Sequence, residues 1–408
     1  MILVLGLFLA LGAVGLEARW SHHLPPAPPT PAPRVPHPSL RVMFAAQMAQ
    51  AEARDAQYAA AMAARTEAAG PPGEVPPVYF KPGEPETLAA YAGQEHITGY
   101  LLDAIRALGG QETALEPQLL LGPAGIGKTL LAKVVANELR LRAVRLGQTP
   151  GRFFEVFPAD IVDLAAFDAV MRHVIASPGS VLFLDEVHDL VGALSRKLYL
   201  VLEEGRYLFH GELAPTKLPP TTLIGATTDY GAMHPALKRR WIRHAMEAAT
   251  PEQLVSILRH RAFPIAVDAA EAIIERTRFS GAPWEGLEIQ RMAVTAAKAR
   301  GAAQVELVDV ERVIDQQRID ALGLRLWDRQ VIAALLGQPK YRRVKGQDVF
   351  SHYAASEAAV TAMAQVDPEE YRTVVRPRLM SRGLLEIRGG QALTPRAVQL
   401  YGHLKFAA

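Results

Sequence analysis

The run Gly122-Pro123-Ala124-Gly125-Ile126-Gly127-Lys128-Thr129 holds the residue types and the spacing that chemistry on a phosphate chain requires. Gly122, Gly125 and Gly127 carry no Cβ, so backbone N–H groups can wrap around a triphosphate. Lys128 then reaches the β- and γ-phosphates and Thr129 offers a hydroxyl to Mg²⁺. The helix that opens through Leu130 points its positive end at the anion. ATP and Mg²⁺ are therefore the expected cofactors.

A second chemical centre, Asp185-Glu186-Val187-His188, follows about 57 residues after Lys128. Asp185 suits a Mg²⁺ ligand, directly or through water, and Glu186 suits the carboxylate that polarises an attacking water. A third centre is the basic cluster Lys238-Arg239-Arg240 before Trp241.

These residues need a scaffold that brings them to one crevice. Leu119–Leu121 before the loop, Ser180–Leu184 before Asp185 and Thr222–Thr228 are short apolar runs that read as buried parallel strands. Carboxylates at the carboxyl end of such strands project into the same crevice as the phosphate loop. The class is α/β, a P-loop domain on a parallel sheet. Helical periodicity over Thr250–Gln317, with Pro251 at a helix start, adds a small helical lid.

The chain has 408 residues, half of them apolar, which accommodates two or three cores. A net charge of +2 neither favours nor excludes nucleic acid, so any such argument must be local. The absence of cysteine excludes disulfides, thiolate zinc sites and a thiol nucleophile.

Met1–Leu16 is an uninterrupted apolar run of about 16 residues, short of the roughly 20 that cross a bilayer squarely. Three readings are open for it. It is a cleaved signal with an Ala13-Val14-Gly15 triplet, a short anchor, or a start-site artefact, that is, an upstream start or a translated extension without a role. As an anchor it leaves the body cytoplasmic, because Arg19, Arg34 and Arg41 all follow it, and residues 1–20 then touch the membrane. Ser21–Pro38 is a proline-dense tether, and Ser39 caps an Ala-rich helix through about Ala69.

The wording AYAGQ, LLLGPAGIGKT, LFLDEVH and TLIGATT, followed by a leucine, basic residues and an aromatic, resembles AAA+ ATPases and, within them, the RuvB family of hexameric Holliday-junction branch-migration motors. The resemblance runs from roughly Pro77 to the C-terminus and includes Asp320-Ala-Leu-Gly and Asp328-Arg329. It implies domains at 77–245 (AAA+), 246–318 (lid) and 319–408 (winged helix), after an N-terminal segment at 1–76. It also implies that Tyr91 and Gly93 border the adenine pocket and that Thr228 is sensor 1. Arg240 would be the finger that completes a neighbour's site, and hence the chain would form a ring, a hexamer in the family.

The chain departs from that family at three places. Where a sensor arginine follows Gly-x-Pro, this chain has Gly281-Ala282-Pro283-Trp284, and Arg291 lies about two turns further on. Gly205–Pro220 is shorter than the hairpin by which the family meets its partner RuvA, which leaves docking of a RuvA-like partner open.

The third departure is the expected DNA contact. Asp367 caps a helix over Pro368–Arg382, with Arg372 and Arg376 on one face and Arg378 and Arg382 on another. Gly383–Gly390 forms a hairpin wing with only Arg388 on it. Arg376, Arg378, Arg382 and Arg388 are the expected phosphate contacts, helped by Lys340, Arg342, Arg343 and Lys345. Three functions compete: a RuvB-like DNA motor, a RuvB-derived ATPase retasked on another substrate at a membrane, and a nucleotide-gated scaffold with little turnover. No Q-x-x-G-R motif accompanies the DEVH box, which argues against a superfamily-two helicase.

Overall fold

The computed structural model describes residues 78–406, apart from 111–113, 162, 191, 278–281, 345–346 and 389. The expected apolar segment, tether and Ala-rich helix of residues 1–76 lie outside the described residues, as do Gly281 and Lys345.

The first domain runs α1 (Glu95–Ala107), β1 (Gln118–Leu121), α2 (Lys128–Arg145), β2 (Phe153–Val156), α3 (Leu164–Ile175), β3 (Ser180–Leu184) and α4 (Gly192–Glu204). It continues through a small hairpin, β4 (Arg206–Tyr207) and β5 (Thr216–Lys217), to β6 (Thr221–Thr227), α5 (Pro235–Lys238) and β7 (Ile242–Ala245). Five strands pair in the order β2-β3-β6-β1-β7, every pair parallel.

The apolar runs are continuous because each central strand is covered on both faces. Leu119, Leu182 and Leu184 turn toward Phe167, Met171 and Leu198 of α3 and α4. Leu120, Val181, Phe183 and Ile224 turn the other way, onto Ile97 and Leu101 of α1 and Leu131 and Val135 of α2. Each such leucine or phenylalanine contributes about 1.5–3 kcal/mol by burial. The sheet is thereby rigid where the loops that carry chemistry leave it.

The lid packs α6 (Pro251–Arg259), α7 (Val267–Thr277), α8 (Pro283–Ala299) and α9 (Leu307–Gln316) around Leu258, Ile273, Ile289 and Val310. Thr250 and Gln253 form a reciprocal capping box that starts α6 where Pro251 suggested.

The third domain holds α10 (Leu326–Leu336), β8 (Pro339–Val344), β9 (Gln347–Ala355) and α11 (Glu357–Ala364). A helical segment follows as α12 (Pro368–Glu370), a π-helical turn over Tyr371–Val375, and α13 (Arg376–Ser381). Then come β10 (Leu385–Ile387), β11 (Gln391–Leu393) and α14 (Pro395–Tyr401). Asp367 caps the segment through the Glu369 and Glu370 N–H groups, as expected. The turn widens ahead of Pro377, which has no N–H to donate to the carbonyl four residues back.

The wing is present as β10–β11, and its sheet has the order β10-β11-β9-β8. The long β8–β9 hairpin was not legible in the sequence, because its outer part lacks the alternation of a half-buried strand.

Candidate functional site

The phosphate loop leaves β1 and enters α2 through Gly125 and Gly127, both at positive φ (75° and 108°), which only glycine adopts without strain. A Cβ on Gly127 would stand 2.4 Å from the Tyr91 hydroxyl, and one on Gly125 would stand 1.8 Å from Cδ1 of Trp284. The loop is thus sandwiched between a tyrosine from the first domain and a tryptophan from the lid.

Lys128 is buried, and its Nζ donates to the Gly122 and Pro123 carbonyls at 2.9 and 3.1 Å. Burial lowers its pKa, while the charges of Glu186 and Asp185 oppose that shift. The two carboxylates therefore sit within electrostatic reach of the lysine, as the strand topology requires.

The Thr129 hydroxyl donates to Asp185 Oδ2 at 3.1 Å, and Asp185 Oδ1 accepts from the Glu186 N–H at 3.1 Å. Burial raises the Asp185 pKa, and the hydrogen bond from Thr129 works against it. A hydroxyl and a carboxylate at this separation form an all-oxygen donor set of the kind that suits Mg²⁺.

Glu186 adopts φ 53° and ψ 54°, a left-handed conformation that costs a side-chain-bearing residue about 1–2 kcal/mol. What holds it there is the end of β6. Thr228 donates to Glu186 Oε2 twice, from its N–H at 2.8 Å and its hydroxyl at 2.9 Å. His188 Nδ1 lies 3.2 Å from the same oxygen and 2.8 Å from the Thr227 hydroxyl. Thr228, expected as a sensor, thus grips the carboxylate that would polarise water. The roles of Thr227 and His188 had only the adjacency of DEVH and TT as a sequence signal.

Tyr91 and Gly93, expected beside an adenine, lie where the approach to α1 meets the phosphate loop and the lid residue Gln253. The Tyr91 hydroxyl donates to the Gly127 carbonyl at 3.2 Å, and burial raises its pKa. Gly93 is at φ 81°, and Gln94 reads the backbone of Glu247 through two hydrogen bonds of 2.6 and 2.9 Å. A cavity of about 660 Å³ joins these parts, bounded by Tyr91, Ala124 through Leu130, Asp185, Glu186, Ile257 and Trp284. That volume lies within the range of small-molecule sites.

Arg240 lies away from this cavity. Its Nε meets Glu203 Oε2 at 2.5 Å and its Nη2 meets the Tyr199 hydroxyl at 2.7 Å. Its Nη1 donates to the Ala236 carbonyl, and the guanidinium lies 3.9 Å from the Tyr199 ring centroid. It is stowed against α4, while Arg239 beside it is exposed.

Two of the four expected DNA contacts are corrected by their surroundings. Arg378 Nε meets Glu285 at 3.0 Å and its Nη1 meets Asp328 at 3.0 Å, while Arg382 Nη2 meets Glu285 at 3.2 Å. Their side chains are 5% and 2% exposed. They do share a helix face, but that face joins the winged helix to the lid rather than meeting solvent. Arg376 reaches Glu357 at 3.0 Å beside Arg372, and exposed Arg388 sits 3.3 Å from Glu386.

A parallel sheet in this order, a phosphate loop, strand-end carboxylates and a helical lid over the nucleotide crevice define an AAA+ P-loop ATPase. Residues 84–246 match the family model of the Holliday junction DNA helicase RuvB P-loop domain. The Holliday junction branch migration complex subunits RuvB of Lacticaseibacillus casei and Lacticaseibacillus paracasei are each 33% identical over 261 residues, 62% of this chain and 74% of theirs. In fold, the chain is similar to the Holliday junction branch migration motor RuvB of Thermotoga maritima, with TM-score 0.61, 24% identity, and coverage of 78% of this chain and 98% of that one.

The chain belongs to the RuvB family. It is accordingly a nucleotide-binding ATP hydrolase of the AAA+ class.

Proposed function

We propose that this protein is an ATP-driven motor on duplex DNA that moves four-way junctions, working as a ring of its own copies, six by analogy with the family. The observation that carries the reading is the grip of Thr228 on Glu186 beside the Thr129–Asp185 pair, an arrangement suited to hydrolysis rather than to nucleotide storage. Lys128 and the loop N–H groups would bind the triphosphate, and Thr129 with Asp185 would hold Mg²⁺, which would supply neutralisation of the phosphate charge. Glu186 orients the attacking water and accepts its proton, while Thr228 fixes the direction in which the carboxylate points.

Arg240 is the residue we assign to the neighbouring subunit's γ-phosphate. To get there it must leave Glu203 and Tyr199, so subunit contact and finger release are one event. The short β4–β5 hairpin is the proposed contact for a RuvA-like junction-binding subunit. The cytoplasm is the proposed site of action; among the described residues no helix is long and apolar enough to cross a membrane.

The test is the ATPase rate with and without four-way-junction DNA. Turnover that rises with DNA and vanishes in Glu186→Gln supports the motor. Turnover indifferent to DNA refutes it, and tight nucleotide binding with no phosphate release would reassign the chain as a scaffold.

A further inference from the structure

The burial of Arg378 and Arg382 leaves a DNA motor's winged helix without two of its four expected cations. Arg372 and Arg376 both lie on Glu357, and Arg388 lies on Glu386. By contrast, Lys340 and Arg342 on β8 are exposed and meet no carboxylate among the described residues. Arg343 has Asp348 at 4.0 Å, but both side chains are more than 70% exposed, so that pair holds it weakly.

These cations stand on an unusual element. From Tyr341 to Arg343 and from Gln347 to Ser351 every residue is exposed, so the outer β8–β9 hairpin stands free on both faces. It nevertheless carries Tyr341 (61% exposed), Phe350 (48%) and Val349 (43%). Tyr341 and Phe350 sit opposite each other, edge to face at 6.2 Å, on the face shared by Arg343; Arg342 and Val349 take the other face. Phe350 leans on Tyr353 at the base of the hairpin, ring centroids 4.9 Å apart, but among the described residues no layer covers Tyr341 on one face or Val349 on the other. If lysine and arginine served only to blunt an edge strand, they would need no aromatics beside them.

We propose that the β8–β9 hairpin is a DNA-binding arm whose two-stranded ribbon lies against a groove of duplex DNA. Lys340, Arg342 and Arg343 meet backbone phosphates, and Tyr341 and Phe350 pack on the groove wall. The inference rests on the reading that DNA is the polymer this motor acts on. Its physical basis is that the major groove admits a two-stranded antiparallel ribbon. The six residues of β8 span roughly 20 Å, enough to reach across such a groove. Positive charge on both faces suits a strand flanked by two phosphate backbones, and Lys340 and Arg342, which meet no carboxylate among the described residues, are free to displace counterions.

The experiment is a titration of a fluorescently labelled duplex with the full-length protein at several salt concentrations between ~50 and ~200 mM. Replacing Lys340, Arg342 and Arg343 together by glutamine should weaken binding by at least tenfold at ~0.1 M salt and lower the slope of log K against log salt by about 2–3. Asp348→Asn should tighten binding, because it releases Arg343. Tyr341→Ser with Phe350→Ser should weaken binding and leave the slope unchanged. DNA-free ATPase should match the wild type in all three, since none of these residues touches the nucleotide site.

A wild type that binds duplex, with all three variants binding identically, overturns the arm and leaves the motor intact. Variants that lose a protein partner or self-associate, with duplex binding unaltered, overturn it equally. A wild type that binds no DNA refutes the proposed function itself.

Discussion

Replacing Arg378 by methionine separates the two roles an arginine on this helix could have. Among the described residues, Arg378, Arg382, Glu285 and Asp328 form a cluster of two cations and two anions, with side-chain exposures of 5%, 2%, 6% and 0%. Arg382 also donates to the Leu322 carbonyl at 2.8 Å and the Arg378 carbonyl at 3.1 Å. Methionine fills most of the volume of Arg378 but takes from Asp328 the hydrogen bonds of Nη1 and from Glu285 the one of Nε. Breaking a buried pair from one side typically costs about 3–5 kcal/mol, because a charge remains uncompensated. In a domain of the winged helix's size each kcal/mol shifts the midpoint by about 4–8 °C, so the C-terminal transition should fall by more than about 10 °C. Calorimetry of the full chain, with limited proteolysis to identify the transition, measures this. Duplex affinity per folded molecule and its salt slope should remain those of the wild type. A variant that melts like the wild type but loses affinity, with a slope lower by about 0.9, would refute the packing argument and restore Arg378 as a phosphate contact.

Three further outcomes follow from the same structure. Arg240→Ala should abolish turnover, and mixing it with Lys128→Ala, whose finger is intact, should return part of the activity; absence of any mixing effect in a titration of the two variants would argue against shared sites. Gly125→Ala should lose nucleotide binding, because its Cβ would collide with Trp284, and adding Trp284→Ala should restore part of it, limited by the positive φ at that position. Equilibrium binding of a fluorescent ATP analogue reads both variants, and no recovery would deny the contact its importance. Asp168 is buried, which alone would raise its pKa, but hydrogen bonds from Lys197 Nζ (2.5 Å), the Tyr207 hydroxyl (2.6 Å) and the His210 N–H (2.7 Å) bring it below the usual value. A depressed carboxylate stabilises fully above its unfolded pKa of about 3.9 and loses that contribution as pH falls through the folded one. Asp168→Asn should therefore be less stable by about 3 kcal/mol near neutrality and show a flatter acid limb in denaturant titrations; an unchanged limb would contradict the assignment.

The nucleotide site was legible in the sequence because local rules and tertiary rules agree there. Glycines at 125 and 127 are demanded by the backbone itself, and Asp185 and Glu186 follow a strand whose apolar run could be read without knowing its neighbours. The winged-helix arginines were misread for the opposite reason. Helical periodicity correctly put Arg378 and Arg382 on one face, but what that face meets is decided by Glu285 and Asp328, some 93 and 50 residues away, and no spacing within the helix encodes it. The conformation of Arg240 was equally invisible, since it depends on Glu203 and Tyr199 of α4.

The departure of Trp284 from the family's arginine acquires a physical sense from its neighbour in sequence. Trp284 and Glu285 are consecutive in the first turn of α8, and their side chains serve different parts of the molecule. The indole lies against the phosphate loop at Gly125, while the carboxylate accepts hydrogen bonds from Arg378 and Arg382 of the winged helix. The Arg378 guanidinium is also 6.0 Å from the indole ring. An arginine at 284 would read the nucleotide by charge, whereas tryptophan reads the position of the loop by contact. Because the adjacent residue anchors the winged helix through a buried cluster, a shift of α8 that follows the loop must either carry that domain with it or break pairs whose loss costs several kcal/mol. The lid thereby links the phosphate loop to the winged helix through packed and hydrogen-bonded side chains, without a charged sensor.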